Sequence, residues 1–271
     1  MNKNKSLTNN LNKISCVLIV KNGQSTIRQV LESLQSFSDV VIYNNHSTDD
    51  TVKIASGFQN TRIINGDFFG FGPTKNEAAM FAKNEWVLSL DADEVLGSLF
   101  LDNLSKLHLD NSTVFTLHRT NYYKYKQIKH CWSEDKTVRL YNKNKTSFTN
   151  NKVHEKIITN GLRIENIDGP VKHFPYSTMT DFILKVDRYS TLFAEDNVGK
   201  KSSSPLKAIL NSKYSFIKTY IFKRGFLDGY AGFVIAFSHM ATNFYKYMKL
   251  YEMNQELSNK SYIKQEDEIK I

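Results

Sequence analysis

The chain has 271 residues, 41% of them hydrophobic, which is enough to bury a sizeable core in one domain with an appendage. Its 36 lysine and arginine residues outnumber 27 aspartate and glutamate residues, and the formal net charge of +9 suits an anionic partner such as a phosphorylated substrate, an anionic membrane surface or a nucleic acid. With two cysteines, Cys16 and Cys131, the composition excludes a disulfide framework and indicates a globular protein of a reducing compartment.

The N-terminal stretch from Met1 to Lys13 is rich in Asn, Lys and Ser. It contains no apolar segment of the kind that signal peptides and membrane anchors require. We therefore predict a polar tail over residues 1–13 that is neither a leader nor an anchor.

From Ile14 onward, short apolar runs alternate with helical periodicity, which predicts a parallel sheet with helices on both faces. Helices are expected after each of the first three strands, with Ser25 and Ser47 capping the first two and a capping box from Thr74 to Glu77 opening the third. Ligands of such sheets bind at the carboxyl ends of the strands. The predicted strands are Ile14 to Val20, Val40 to Tyr43, Arg62 to Ile64, and Trp86 to Leu90.

The fourth strand ends at two carboxylates one residue apart, Asp91 and Asp93. Because side chains alternate along a strand, both can reach one ligand. A hard cation such as Mg²⁺ or Mn²⁺, with phosphate as co-ligand, suits this pair. The alternative is that Asp93 caps a helix beginning near Val95. Asn22 and Asn44 lie at the same predicted edge of the sheet.

Four motifs follow one another in the N-terminal half of the chain: Val17 to Asn22, Ser47-Thr48-Asp49, Gly70 to Gly72 with Lys75-Asn76, and Trp86 to Glu94. In this order they resemble the N-terminal half of family 2 glycosyltransferases, which have the GT-A (Rossmann-like) nucleotide-sugar-binding fold. Four later motifs are Val138 to Tyr141, Val153-His154-Glu155, His173, and Lys223 to Gly229. These are similar to the branch that contains bacterial lipopolysaccharide-core β-glucosyltransferases, and the resemblance covers roughly Ile14 to Met253.

The resemblance implies a nucleotide site at the sheet edge. Asn44 stands where the family usually has an aspartate that contacts the base, and an amide can still hydrogen-bond a base edge. Lys75 and Asn76 follow a glycine-rich loop at a helix start, where phosphate binds favourably. Arg119 and Arg139, at strand ends, could hold a diphosphate or an anionic acceptor, or could equally be ion-pair partners. The nucleotide-binding candidates are Asn22, Asn44, Asp49, Lys75, Asn76, Asp91 and Arg139.

In this family interpretation, a divalent cation held by Asp93, with Asp91 contacting the ribose or a metal-bound water, stabilises the departing diphosphate. The acceptor hydroxyl needs a base on the opposite face of the sugar, and in-line attack inverts the anomeric carbon. Glu155 is the first candidate base, with an exposed loop carboxylate as the alternative, and Asp135 is the second. His154 is a candidate phosphate or metal ligand. Glu94 is expected at a helix start.

The sequence predicts a catalytic domain over residues 14–176 and a helical, basic appendage over residues 177–271. From Asn197 to Leu227 there are seven basic residues and no acidic one, interleaved with aromatic residues. This composition suits an anionic bilayer interface, and the alternative is an ordinary helix with a solvated basic face. The apolar stretch from Phe226 to Phe244 is too polar to predict a membrane span.

Together these features predict an inverting glycosyltransferase on the cytoplasmic face of the inner membrane. It would transfer glucose from UDP-glucose to a lipid-linked glycan such as a lipopolysaccharide core. One alternative is a nucleotidyltransferase acting on a sugar phosphate, which would use paired carboxylates in the same way. Another is a nucleic-acid-binding module, but the sequence contains none of its standard motifs, so no nucleic-acid partner is expected.

Overall fold

The computed structural model describes residues 10–132, 135–151, 154–176 and 178–269, without the side chains of residues 135 and 260–269. The chain divides into two compact units. The sheet unit comprises Met1–Asn121 and Glu134–Pro175, and the helical unit comprises Tyr122–Ser133 and Tyr176–Ile271. The segment from Tyr122 to Ser133, which the sequence groups with the sheet, is thus part of the helical unit.

Part of the predicted N-terminal tail is folded. Asn10–Lys13 form a 3-10 turn in which Asn10 and Leu11 are buried. The side-chain amide of Asn10 donates a hydrogen bond to the carbonyl of Leu107 at 2.7 Å. The rest of the predicted tail lies outside the described residues.

Four parallel strands form one half of the sheet: Ile14–Val20 (β1), Val40–Asn44 (β2), Thr61–Asn65 (β3) and Trp86–Asp91 (β4). They lie in the order β3-β2-β1-β4. Short apolar runs rich in β-branched residues are typical of strands buried on both faces. The four strands predicted from such runs are confirmed.

The other half of the sheet contains antiparallel strand pairs. Its strands are Glu94–Leu96 (β5), Thr113–Tyr123 (β6), Lys126–Gln127 (β7), Asp135–Asn142 (β8) and Arg163–Tyr176 (β9). From β4 the order continues β8-β6-β9-β5, and β7 pairs with the end of β6. Leu140 of β8 lies opposite Leu88 of β4, so β8 joins the two halves.

Helices cover both faces of the sheet: Ile27–Ser33 (α1), Thr51–Ala55 (α2), Phe71–Met80 (α3) and Ser98–Lys106 (α4). Because side chains alternate along a strand, Leu18 packs into a cluster with Leu31 of α1. Its neighbour Val17 packs into the opposite cluster with Ala78 of α3. The predicted α/β architecture with helices on both faces is confirmed.

The predicted N-caps of the first two helices are wrong. α1 follows Thr26 and α2 follows Asp50, and neither side chain makes a capping hydrogen bond. The Ser47 hydroxyl instead accepts the backbone N–H of Asn22 at 3.0 Å, and the Thr26 hydroxyl donates to the carbonyl of Ala92 at 2.7 Å. Side chains that resemble local caps in the sequence therefore connect separate loops at the strand ends.

The predicted capping box of the third helix is also wrong, because α3 already begins at Phe71 and Thr74 lies inside it. The Thr74 hydroxyl accepts the N–H of Phe69 at 3.0 Å. Gly70 is the N-cap residue with a φ of 107°, a conformation that glycine adopts without a steric penalty. Pro73 in the first turn needs no N–H partner, so it does not oppose this earlier start.

The alternative interpretation of Asp93 as a helix cap is excluded, because Asp93 lies in the turn between β4 and β5. The next helix, α4, begins only at Ser98. Glu94 is the first residue of β5 and is fully buried, so its predicted place at a helix start is wrong. After the turn that contains Asp93, the chain forms β5, which pairs with β9. Asp93 and Glu94 therefore stay beside the sheet.

The helical unit contains Met179–Asn197 (α5), Pro205–Ile217 (α6) and Tyr230–Ile269 (α7). A π-helical turn, Lys218–Phe222, and a 3-10 turn, Gly225–Asp228, connect α6 to α7. Both α5 and α6 pack against α7. Among the described helices, none combines the length and apolar character needed to cross a bilayer.

The motif from Lys223 to Gly229 has a structural role in the helical unit. The Asp228 carboxylate accepts the backbone N–H groups of Lys129, His130 and Cys131 at 3.0, 3.1 and 2.9 Å. Burial alone would raise the pKa of Asp228, but hydrogen bonds from Cys131 and His130 outweigh it and lower the pKa to about 2. Asp228 therefore fastens the segment 122–133 to the start of α7.

We predict that Asp228→Asn lowers the free energy of unfolding by roughly 2 kcal/mol near neutral pH, because the carboxylate that accepts three N–H groups loses its charge. The folded-state pKa of Asp228, about 2, lies below the value of about 3.9 for an unfolded chain. Its contribution should therefore be complete above about pH 4 and disappear as the pH falls through about 2. Urea unfolding followed by circular dichroism at several pH values measures both effects.

Asp187→Asn is the matched control. Asp187 is exposed and pairs with Lys249 at 2.6 Å, and such surface pairs contribute less than about 1 kcal/mol. Equal losses of stability in the two variants, or a loss in Asp228→Asn that does not change with pH, would contradict the assigned role of Asp228.

Candidate active site

The carboxyl edge of the parallel strands gathers the polar residues that the sequence singles out. Asn44 and Asp91 are the last residues of β2 and β4, and Asn22 lies just beyond β1. Asp91 is opposite Ile19 and Asn44 is opposite Val20 in the sheet register. The predicted convergence of these three residues at one edge therefore follows directly from the parallel pairing.

Asn44 is buried and has partners for both ends of its side-chain amide. Its oxygen accepts the backbone N–H of Ser47 at 3.1 Å, and its nitrogen donates to the side-chain oxygen of Asn65 at 2.8 Å. The Ser47 N–H can only donate, so it fixes the orientation of the Asn44 amide and, through it, that of Asn65. Asn44 thereby joins the ends of β2 and β3.

Asn22 and Asp49 connect the two loops that follow β1 and β2. The Asn22 side-chain oxygen accepts the N–H of Thr48 at 2.8 Å, and the φ of Asn22 is 55°. The Asp49 carboxylate accepts the N–H groups of Gln24 at 3.1 Å and Thr51 at 3.0 Å. These contacts make the loops one hydrogen-bonded frame at the sheet edge.

The start of α3 is packed closely against the loop that follows β8. A Cβ atom on Gly72 would lie 2.0 Å from the carbonyl oxygen of Thr149. The Asn76 side chain donates to the carbonyl of Phe148 at 2.9 Å and accepts its N–H at 2.8 Å. Asn76 thus holds this loop in place, and the amide predicted to face a phosphate is engaged by the backbone.

Lys75 connects the end of β4 with Glu155. It is almost fully buried, and its ammonium group lies 3.0 Å from Asp91 Oδ1 and 2.8 Å from Glu155 Oε1. The same ammonium group lies 5.3 Å from the centre of the Phe148 ring, within the range of a cation–π interaction. The predicted nucleotide residue and the predicted base therefore form one ion-paired unit.

Two arginines complete the charged cluster. Arg139 Nη2 of β8 lies 2.5 Å from Asp91 Oδ2 and 3.4 Å from Glu94 Oε1. Arg119 Nη1 of β6 lies 3.1 Å from Glu94 Oε1 and 3.6 Å from Asp91 Oδ2. Glu94 also accepts the backbone N–H of Asp91 at 2.9 Å. The buried Arg139 and the partly exposed Arg119 are thus ion-pair partners of the acidic residues.

The charges of the cluster determine its ionisation. Burial alone would raise the pKa of Asp91, but Arg139 and Lys75 outweigh it and hold that pKa well below its usual range. For Arg139, burial lowers the pKa, and the carboxylates of Asp91 and Glu94 more than compensate and raise it. Both partners therefore stay ionised at neutral pH. The three cations that neutralise Asp91 come from α3, β6 and β8, which are distant from it in the chain.

Asp93 has a different environment. Its Oδ1 atom is buried and, among the described residues, has no hydrogen-bond donor. His173 Nε2 lies 3.6 Å from it, and His173 Nδ1 is 2.6 Å from the side-chain oxygen of Asn121. Nε2 is thus the ring nitrogen of His173 that faces Asp93. A carboxylate oxygen and an imidazole nitrogen that face each other in this way fit a divalent cation.

The other candidates lie apart from this pair or outside the described side chains. His154 is exposed and has a φ of 60°. Within the described chain, no three histidine, cysteine or acidic residues are close enough to form a metal site together, so His154 is not grouped with Asp91 and Asp93. Asp135 is opposite Arg119 in the strand register, and its side chain is not described. Val153 lies outside the described residues.

Sequence reasoning missed two residues of the site. The sequence places Glu94 at a helix start, whereas it is the buried first residue of β5 and pairs with two arginines. The sequence indicates His173 only through its place in the family pattern, yet it lies opposite Glu94 in the β5–β9 pairing. Its isolated position in the sequence gives no ligand spacing that could have indicated it.

Comparison with known proteins gives a family match and several full-length relatives. The model described as "Glycosyl transferase family 2" matches residues 15–169. An uncharacterized glycosyltransferase of Rickettsia typhi is 28% identical over 265 residues, which cover 92% of this chain and 90% of the relative. The lipopolysaccharide core biosynthesis glycosyltransferase LpsC of Rhizobium meliloti is 25% identical over 249 residues, which cover 88% of this chain and 92% of the relative. A crystal structure of S. aureus TarS residues 1–349 with UDP has 15% identity and a TM-score of 0.41, covering 91% of each chain.

The family match spans more than half of the chain. It includes the four parallel strands, Asp91, Asp93 and Lys75, and it extends through Glu155 into β9. The sheet order and the helices on both faces agree with the GT-A fold expected of this family. The chain therefore belongs to glycosyltransferase family 2 and is a glycosyltransferase.

Proposed function

We propose that the enzyme transfers a hexose, with inversion, from a nucleoside diphosphate sugar to a lipid-linked glycan. UDP-glucose is the proposed donor, and a lipopolysaccharide core is the proposed acceptor. Family membership supports sugar transfer over the two alternatives raised by the sequence, nucleotidyl transfer and nucleic-acid binding. The similarity to LpsC, whose name assigns it to lipopolysaccharide core biosynthesis, supports the acceptor class.

The observation that carries the donor proposal is the buried Asp93 Oδ1, which lacks a hydrogen-bond donor among the described residues and faces His173 Nε2 at 3.6 Å. Asp93 and His173 would hold Mg²⁺ or Mn²⁺, and such a cation neutralises charge that develops on a departing diphosphate. Two protein ligands suffice, because Mg²⁺ sites commonly keep water and substrate phosphate oxygens as the other ligands. A metal role for His154 stays a prediction.

Asp91 supports the site in this proposal through its ion pairs. It fixes Lys75 and Arg139 at the end of β4, and its carboxylate is occupied by them. The nucleotide would lie along the frame formed by Asn22, Asn44 and Asp49. The amide of Asn44 would offer hydrogen bonds to the base that differ from those of the aspartate usual in the family.

Glu155 is the proposed general base. Its ion pair with Lys75 fixes the carboxylate relative to Asp91, and positional control of this kind is what general-base catalysis requires. Because Lys75 also contacts Asp91, the ammonium group keeps a carboxylate partner when Glu155 takes up the acceptor proton. Asp135 remains the second candidate.

We propose that the enzyme works on the cytoplasmic face of the inner membrane. The excess of basic residues supports this location, since seven basic residues and no acidic one lie between Asn197 and Leu227. Each basic residue near an anionic surface contributes on the order of 1 kcal/mol. A lipid-linked acceptor would be presented at the same surface.

The donor proposal predicts that the purified enzyme releases nucleoside diphosphate, and no pyrophosphate, from a nucleotide sugar only when Mg²⁺ or Mn²⁺ is present. Asp93→Asn should lower the cation-dependent affinity for the donor by at least about 10²-fold, because the amide lacks the charge that a divalent cation needs. Calorimetry with donor and cation, repeated with excess chelator, measures this affinity independently of turnover.

Asp102→Asn, an exposed substitution on α4, is the control for the loss of one negative charge. Pyrophosphate as the product would contradict sugar transfer. Donor affinity that is the same in chelator, or the same in folded Asp93→Asn, would contradict the cation site while leaving the product result intact.

The base proposal predicts that Glu155→Gln lowers the transfer rate by roughly 10² to 10⁴, because the amide keeps the shape of the side chain but cannot accept the proton. Donor affinity should change little, since Asp93 lies on the leaving-group side. Single-turnover transfer and calorimetry are compared for Glu155→Gln, Asp135→Asn and the exposed control Glu165→Gln. Near-normal transfer by folded Glu155→Gln, with loss in Asp135→Asn, would assign the base to Asp135.

A further inference from the structure

Helix α6 and the π-helical turn after it present large apolar side chains to solvent. These residues recur on one side of the helix, as expected for positions related by three, four and seven residues. They are between 41% and 69% exposed, whereas the opposite side of the helix is buried. The exposed set is Leu206, Ile209, Leu210, Tyr214, Ile217, Ile221 and Phe222.

The buried side of this segment consists of small or polar residues. Ala208, Ser212 and Thr219 are buried there. Ser215 accepts a hydrogen bond from the Asn243 amide of α7 at 2.9 Å, and the Thr219 hydroxyl lies 3.2 Å from Nδ1 of His239. An amphipathic helix usually buries its large apolar residues, whereas this segment buries small and polar ones. Packing against α7 therefore does not explain why the large apolar residues are present.

The apolar surface continues onto the start of α7. Phe233 lies at 6.3 Å from Phe216 and 6.1 Å from Tyr220, measured between ring centres. Phe237 stacks on Phe233 one turn further along α7, and Phe226 contacts Tyr220. The outward residues of α6, the connecting turns and α7 thus form one surface within the helical unit, which we call the apolar face.

Basic residues border the apolar face. Lys213 lies among the exposed apolar residues of α6, and Lys218, Lys223 and Arg224 follow it in the chain. All four side chains are exposed. Between Asn197 and Leu227 the sequence has no acidic residue to balance them. Lysine side chains can keep their charge in the headgroup layer while their methylene groups lie along apolar surface.

We propose that the apolar face inserts into one leaflet of an anionic bilayer, so that the enzyme is a monotopic membrane protein held by α6 and the start of α7. This inference deepens the membrane location in the proposed function: the attachment depends on buried apolar area as well as on charge. Helices that lie in a membrane interface combine the same features, an apolar face with phenylalanine and leucine and a basic border.

Charge complementarity favours an anionic bilayer, and not a second copy of the chain, as the partner of the apolar face. Two copies that met through this face would bring their uncompensated basic residues together, and like charges oppose such a contact. An anionic headgroup layer would instead attract those residues and offer hydrocarbon to the apolar side chains. Exposed apolar surfaces of this extent are otherwise uncommon on soluble proteins.

The test compares vesicle binding of the wild type with a triple variant, Leu210→Asn, Ile217→Asn and Phe222→Asn, in the full chain. Insertion is not screened by salt, so the wild type should keep part of its binding to phosphatidylglycerol-containing vesicles at about 1 M salt. The triple variant should lose on the order of 10²-fold in partition coefficient at that salt concentration, because three half-exposed large side chains no longer enter hydrocarbon. Co-sedimentation measures both.

Met80→Asn, Leu99→Asn and Ile164→Asn together form the control, since these side chains are 77%, 54% and 54% exposed in the sheet unit. This control should bind vesicles like the wild type. Vesicle binding by the triple variant equal to the wild type, or wild-type binding that vanishes completely at high salt, would overturn the proposal. So would a wild-type dimer that the triple variant loses while its vesicle binding stays unchanged.

Nucleoside diphosphate release is measured for all three proteins. Equal release shows that the variants fold, because the substituted residues lie outside the donor site. Absence of release from the wild type would count against the proposed function and leave the vesicle comparison interpretable.

Discussion

Six acidic and basic side chains lie together where β4 ends, and each of them has an ion-pair partner in the group. Burying one unpaired charge costs several kcal/mol, whereas paired and hydrogen-bonded charges are tolerated. Of the acidic residues, Asp91 ends β4 in the parallel half of the sheet, Glu94 begins β5 in the other half, and Glu155 comes from a loop. The basic residues Lys75, Arg119 and Arg139 come from α3, β6 and β8. The site is electrically balanced only when both halves of the sheet are assembled.

These ion pairs give different roles to Asp91 and Asp93, two carboxylates that look equivalent in the sequence. Asp91 contacts three cations and is committed to the framework. Asp93 lies in the turn beyond the end of β4 and faces His173 Nε2 at 3.6 Å. The spacing of the two residues places them at one edge, but the partners supplied by α3, β6 and β8 decide which of them stays available to a ligand.

The sequence predicted the parts of the fold that depend on local pattern. Buried parallel strands are recognisable from continuous apolar runs, and the position of Asp91 at a strand end followed from them. The partners of Asp91 could not be predicted, because Arg139 is 48 residues away in the chain and reaches it only through β4–β8 pairing. The cap predicted at Ser47 is absent for the same reason, since its hydroxyl accepts a hydrogen bond from the distant Asn22. The reversed burial of α6 depends on its packing against α7 and has no signature in composition alone.

A double-mutant cycle on Lys75 and Glu155 tests the ion-paired unit most directly. The free energy of unfolding is measured for Lys75→Met, Glu155→Gln and the double variant. Glu155→Gln leaves Lys75 paired with Asp91 and should cost roughly 1 to 3 kcal/mol, whereas Lys75→Met removes the cation that two carboxylates share and should cost more. Because the two side chains contact each other, the double variant should cost less than the sum of the single variants. Losses that add to within about 0.5 kcal/mol would show that the two side chains are independent and would contradict a site organised around Lys75.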